Sequence, residues 1–113
     1  MDLNLVVIAG RLAADPEVKR FDSGSQLMRL LVTTRINEPH RRIDVVPVTW
    51  WDVTDEQIKT LDLHRGERVW VAGSIQRRFW SDDDGRRSSM QVIAREVQKG
   101  VNERGLELDE VLR

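Results

Sequence analysis

The chain contains no cysteine, which excludes disulfide frameworks, thiolate metal sites and cysteine nucleophiles together. It has no long apolar run either. The longest, Leu5 to Ala9, is far too short to cross a bilayer and lacks the flanks of a signal peptide. Charge of one sign is also missing: the formal net charge is -1 and the pI about 6.1. No bulk positive charge therefore advertises an anionic partner, although binding depends on where charge lies rather than on its sum. There is no repeat, linker or low-complexity segment, no nucleophile–base pair and no phosphate-cradling glycine loop, so an enzyme is not expected. Asp82-Asp83-Asp84 has no downstream Glu at calcium-loop spacing and reads as turn chemistry, with no metal or cofactor implied. His40 and His64 stand beside loops without a partner motif. What is left is a chain of 113 residues, 40% hydrophobic and 33% charged. That suits one soluble globular domain, with the cytoplasm as the expected compartment.

The stretch from Glu67 to Arg87, ERVWVAGSIQRRFWSDDDGRR, carries the clearest pattern. Val69, Val71, Ile75 and Phe79 share one parity around Gly73, while Arg68, Trp70, Gln76, Arg78 and Trp80 share the other. Alternation of period two places these sets on opposite faces of a sheet. One face is then aliphatic and the other carries arginines and tryptophans. Ser81 to Gly85 supplies the acceptors and the glycine of a hairpin turn. An exposed sheet face with Arg beside Trp suits a ligand that is both anionic and planar, of which single-stranded nucleic acid is the commonest. The basic residues are nearly all Arg, with pairs at Arg41-Arg42, Arg77-Arg78 and Arg86-Arg87. Arg is the cation that both stacks on bases and grips phosphate with two donors.

Taken in order, Leu3 to Leu12 reads as a first strand, broken by Ala13-Ala14-Asp15-Pro16 and resuming briefly over Glu17 to Phe21. After the turn Asp22 to Ser25, Gln26 to Arg35 forms a second strand. Its Met28, Leu30 and Val32 face one way, and Arg29, Leu31, Thr33 and Arg35 the other. Ile36 to Arg42 reads as a loop, and Ile43 to Trp51 as a third strand. Thr54 opens a helix as N-cap, Gln57 completes a capping box, Ile58, Leu61 and Leu63 form a narrow apolar stripe, and Gly66 is the stop. Two further strands follow, the last ending near Val97. The fold expected is all-β: an OB-fold, a five-stranded Greek-key barrel with one helix between its third and fourth strands. It should occupy residues 1–100, with 101–113 a short C-terminal extension. Closure also removes the free edges that so short an all-β chain would otherwise present.

On these elements the sequence resembles the bacterial single-stranded DNA-binding protein family over about residues 3 to 98. Gly10-Arg11-Leu12 with Asp15-Pro16-Glu17-Val18, then Ser23-Gly24, then Arg65-Gly66 with Val69-Trp70-Val71-Ala72-Gly73 follow that family's pattern. So do Arg77-Arg78-Phe79-Trp80 with Asp84-Gly85, and finally Glu96-Val97-Gln98. The resemblance implies an OB-fold without catalytic activity, usually a homotetramer, that coats single-stranded DNA without sequence preference in replication, recombination and repair. It places the chain with the nucleoid and allows replication or repair proteins as further partners. Of four stacking aromatics that it implies, Trp51 and Trp80 fill two. Val45 stands at the third position, and the short loop Ile36 to His40 has no aromatic for the fourth. Fewer platforms imply weaker or differently shaped binding. The family's long Gly/Pro-rich tail with an acidic tip has no counterpart, since the chain ends GLELDEVLR.

The candidate nucleic-acid-binding residues are Trp51, Trp80, Arg78, Arg35, Arg29, Arg77, Arg41 and Arg42. On residue type alone, Trp80 serves equally as a barrel cap or as a stacking platform. Trp50 and Trp51 point opposite ways: Val46, Val48 and Trp50 form the face expected inside, and Val45, Pro47, Thr49 and Trp51 the face outside, unless a bulge inverts them. Arg77 has core parity, which favours Arg78, and Arg41 and Arg42 need loop movement to reach a ligand. Trp70 shares parity with Trp80 but lies roughly 33 Å away along an ideal strand. It is the candidate oligomer-interface residue, in a tetramer or a dimer. The alternative function is an OB-fold protein-interaction subunit of a replication or primosome assembly, in which the same face meets protein. An oligosaccharide binder or OB-fold enzyme has no residue in its favour.

Overall fold

Alternating aliphatic residues produce six strands, with one short helix between the fourth and fifth, in the computed structural model, which describes residues 1–100. The proposed extension at 101–113 lies outside the described residues. The elements are β1 (Val6–Leu12), β2 (Glu17–Arg20), β3 (Gln26–Ile36), β4 (Arg42–Trp51), α1 (Asp55–Leu61), β5 (Arg68–Asp82) and β6 (Gly85–Lys99). β1 pairs with both β3 and β5, β5 with β6, β6 in parallel with β4, and β4 with β3. These pairings close a ring of five strands. The sixth, β2, continues the path of β1 beyond Asp15-Pro16 and pairs with the first residues of β3. The expected barrel is therefore present, with its first strand in two pieces and its helix between β4 and β5.

Parity decides what lies inside. Met28, Leu30 and Val32 of β3, Val48 and Trp50 of β4, Val69 and Val71 of β5, and Val92, Ala94 and Val97 of β6 form one buried cluster. Trp50 retains 6% of its exposure and Trp51 retains 49%, so no bulge inverts β4. Two glycines let the strands close on one another. A Cβ on Gly10 would sit 2.0 Å from the Thr33 carbonyl oxygen, and one on Gly73 would sit 1.9 Å from that of Ile93. The β5–β6 register shifts at that second contact, between Ala72 and Gly73.

Helix α1 begins as its sequence dictates. The Thr54 hydroxyl accepts from the Gln57 backbone N–H at 3.0 Å, and the Gln57 side chain accepts from the Thr54 N–H at 2.9 Å. Its end comes earlier than Gly66. Asp62 adopts the left-handed conformation and its N–H returns to the Ile58 carbonyl, so Gly66 only turns the chain into β5. Ile58 and Leu61 pack against the core. At the other end of the helix, Asp55 accepts from Arg20 at 2.9 Å and from Gln26 at 3.1 Å, while the buried Gln26 also donates to the Val53 carbonyl at 2.6 Å. The Arg20 hydrogen bond, then that from Gln26, holds the Asp55 carboxyl below its ordinary range.

Two boundaries differ from expectation. Ile36 and Arg42 belong to strands rather than to the loop between them. More consequentially, the aliphatic row of β5 stops being core after Gly73. Ile75 is 42% exposed and Phe79 is 65% exposed. Pairing with β1 ends at Gly73, and only the Asn4 side chain extends it, bonding both backbone groups of Ile75. Past that point β5 and β6 run on as a two-stranded arm to a turn at Asp83-Asp84. There the Asp84 N–H donates to Asp82 at 2.9 Å, and Arg87 pairs with both aspartates.

Trp50→Ala should cost about 3–5 kcal/mol as a buried aromatic truncation, whereas Trp51→Ala should leave the denaturant midpoint near wild type. Equal losses would contradict the register of β4. For Asp55 the folded pKa is depressed, so its contribution is present above the unfolded pKa and is lost as pH falls through the folded one. Arg20→Met should reduce that acid-limb dependence of stability, leaving the part due to Gln26. An unchanged slope on acidification would assign it elsewhere.

Candidate nucleic-acid interface

The outward rows of β3 and β4 lie side by side. Leu27 pairs with Trp51, Arg29 with Thr49, Leu31 with Pro47, Thr33 with Val45 and Arg35 with Ile43; Leu27 and Thr49 are themselves buried, while Trp51, Leu31, Val45 and Ile43 are exposed. Trp51 is exposed at one end of this surface, and it is not alone there. Its ring stacks on Phe21, with centroids 6.0 Å apart and planes 16° from parallel. The Lys19 ammonium stands 5.6 Å over the Phe21 ring. The tight turn after β2 holds Phe21 in place: its N–H donates to the Ser25 carbonyl and its carbonyl accepts from Gly24, which has a positive φ. Phe21 is not among the candidates drawn from sequence. The available signal is Lys19 and Phe21 two apart beside a turn, a cation next to an aromatic on one face.

Beside Arg29 the surface dips into a groove of about 270 Å³, lined among others by Arg29, Leu31, Pro47, Thr49, Arg78 and Gln91. Thr49 donates to the Gln91 side chain at 2.8 Å, which joins the outer faces of β4 and β6. Arg78 comes from the base of the arm, and its guanidinium lies 5.5 Å over the Trp80 ring. Trp80 itself is 40% exposed, two residues further out. The structure thus brings Arg29, Arg78 and Trp80 together, with Trp51 one outward pair along from Arg29. Asp15 and Glu17 also border the groove, so its charge is close to balanced. Such a site can hold flat rings by stacking and meet anions with two guanidiniums, without a strong net field.

The remaining candidates lie elsewhere. Arg77 is on the reverse of the arm with Ile75 and Phe79, donating to Ser88 at 3.1 Å. Its face is exposed rather than core, because the arm has left the barrel. Arg42 lies in β4 with its charge met by Asp44 at 3.0 Å. Arg41 is exposed in the link before β4. Arg35 is on the same outward row as Arg29 but borders a different groove. Trp70 is half-buried on the outer face of β5, opposite Ala9 of β1 and Gln98 of β6. Among the described residues no cluster of His, Asp and Glu could hold a metal ion, and no helix is long and apolar enough to cross a membrane.

Comparison with known proteins bears on the same span. The model of the "Single-strand binding protein family" matches residues 3–99. Single-stranded DNA-binding protein 1 of Nostoc sp. is 32% identical over 82 residues, covering 73% of this chain and 68% of that protein. Single-stranded DNA-binding protein 3 of Clostridium acetobutylicum is 31% identical over 102 residues, covering 85% of this chain and 69% of that protein. Among solved structures, a Plasmodium falciparum SSB in complex with ssDNA superposes with a TM-score of 0.75 at 20% identity. It covers 88% of this chain and 96% of the other, a likeness of fold.

Proposed function

Since the chain belongs to the single-strand binding protein family, we propose that it coats single-stranded DNA without sequence preference. The observation that carries this reading is a groove lined by Arg29 and Arg78, with the exposed Trp80 against Arg78 and the exposed Trp51 one outward pair along from Arg29. Bases stack on Trp51 and Trp80, and phosphates meet Arg29 and Arg78. Every base has a π-face, so stacking tolerates any sequence and contributes about 1–3 kcal/mol per base. Phe21 offsets part of what Val45 lacks: stacked behind Trp51, it widens the platform and fixes the ring's plane. Arg77 and Arg41, off this face, make weaker contacts with a strand that bends round the arm or the loop, and Arg42 must first release Asp44. The task is protection of exposed strands in replication, recombination and repair, on the nucleoid and in the cytoplasm, without catalysis. Replication or repair proteins are further partners.

The same reading includes a homo-oligomer, a tetramer by preference. Trp70 and Ala72 of β5 share an outer face with Val7 and Ala9 of β1, and Val7 is 54% exposed. A tryptophan half-buried on this face, between Ala9 and Gln98 and away from the stacking groove, suits a subunit contact better than open water.

Titration with an unstructured oligonucleotide should quench tryptophan fluorescence, and affinity should fall with salt at about 0.7 log units per log unit for each phosphate contacted. Preference for duplex over single strand in competition would refute this reading. Trp51→Ala and Trp80→Ala should each lose roughly 1–3 kcal/mol of binding, and Phe21→Leu a part of that, with Phe21→Tyr close to wild type. If Phe21→Leu binds as well as wild type, Phe21 only packs. Trp70→Arg should lower the mass seen by light scattering with the fold retained; an unchanged mass would move the subunit contact elsewhere.

A further inference from the structure

Gln26 stands at the head of the inward row of β3, ahead of Met28, Leu30 and Val32, where an aliphatic side chain would serve the packing. It is 8% exposed. A buried amide destabilises unless its polar atoms are bonded, and here all of them are. Its oxygen accepts from the Arg20 guanidinium, and its nitrogen donates to the Val53 carbonyl at 2.6 Å and to the Asp55 carboxylate at 3.1 Å. Arg20 also reaches Asp55 directly, at 2.9 Å, which closes a triangle of side chains. The backbone carbonyl of Gln26 accepts from the Asp52 N–H at 2.8 Å. Arg20 and Asp55 are largely exposed, so their own pair is weak. The buried amide is the part of the triangle that water and salt do not loosen.

These contacts bracket the exposed aromatic pair. Arg20 is the cross-strand partner of Gln26 and immediately precedes Phe21. Asp52 and Val53 immediately follow Trp51, and Asp52 turns the chain out of β4 in the left-handed conformation, at φ 60°. Residues other than glycine keep that conformation where neighbouring bonds hold it. β2 and β4 pair with β3 from opposite sides, so no backbone ladder ties Phe21 to Trp51 directly. The turn at Ser25 fixes the Phe21 backbone, and Gln26 joins that turn to the segment after Trp51. We propose that Gln26 is a positioning residue for base stacking: holding Arg20 on one side and Asp52, Val53 and Asp55 on the other, it keeps Phe21 and Trp51 stacked before a base arrives. The inference rests on the single-strand reading and deepens it, since it names what sets the geometry of one stacking platform. Preassembly matters because ordering a loose side chain on binding weakens affinity about two- to tenfold.

The test compares three variants. Gln26→Met keeps the length and apolar packing but removes the amide, Arg20→Met frees only the β2 side, and Arg20→Lys keeps a donor for Gln26 and Asp55. In the free protein the Phe21 ring shifts the Trp51 indole N–H resonance, so Phe21→Leu defines the signal of an unstacked Trp51. Both Met variants should move the Trp51 signal toward that position and leave Trp80 in place, and Arg20→Lys should keep it where wild type has it. On an unstructured oligonucleotide Gln26→Met should bind about two- to tenfold more weakly, with an unchanged salt slope because no phosphate contact is lost. Phe21→Leu should then add little in the Gln26→Met background. A glutamine that only supports the fold would lower the denaturant midpoint while the full effect of Phe21→Leu on binding survived, and that result overturns the proposal. So does a Trp51 signal unmoved in both Met variants. Should Gln26→Met fail to fold, the Arg20→Met signal decides alone. Wild type that binds no single strand overturns the single-strand reading instead, and the free-protein signal then still reports whether Gln26 holds the stack.

Discussion

The barrel depends on two places where backbones approach more closely than any side chain permits, Gly10 against Thr33 and Gly73 against Ile93. The first seals β1 onto β3 and closes the ring. The second shifts the β5–β6 register and sends that pair out of the barrel as an arm. From these follow two features of the surface. Closure gathers Arg11, Arg35 and Arg68 over one hollow, and the arm raises Trp80 beside a groove that Arg78 shares with Arg29. A side chain at either glycine would displace the strands that position both grooves, so the candidate interface and the fold share one constraint.

Charge is distributed with the same economy. With a net charge of -1, any attraction to a polyanion depends on where the positive charge lies. Several arginines are bound to neighbouring aspartates at turns and strand ends, where they hold structure. The groove of Arg29 and Arg78 has carboxylates on its border, and near it Trp51 on Phe21 makes a larger aromatic surface than either ring alone. Among the described residues most arginines, those of both grooves included, have no ion-pair partner.

What could be read from sequence was local. Period-two alternation placed Trp50 inside and Trp51 outside, and Thr54 with Gln57 announced the helix start. Arg78 with Trp80 is likewise a pair within one strand. What could not be read depends on distance in sequence. Phe21 reaches Trp51 only because β2 and β4 both pair with β3, one on each side. Arg11 meets Arg68 only in the β1–β5 register. Ile75 and Phe79 carry core parity, but no local pattern states that β1 stops at Gly73 and leaves them uncovered. Asp62 ends the helix before Gly66 because a left-handed aspartate serves as a cap where glycine was expected.

The central claim is that the exposed tryptophans stack on bases while the buried one maintains the fold. The four indole N–H groups make this directly measurable, since each gives its own resonance in a nitrogen-15 correlation spectrum. On titration with an unstructured oligonucleotide, the Trp51 and Trp80 indole signals should shift strongly and saturably, while that of Trp50 stays in place. A Trp50 shift as large as theirs, or Trp51 and Trp80 signals that do not move in a bound complex, would contradict the account.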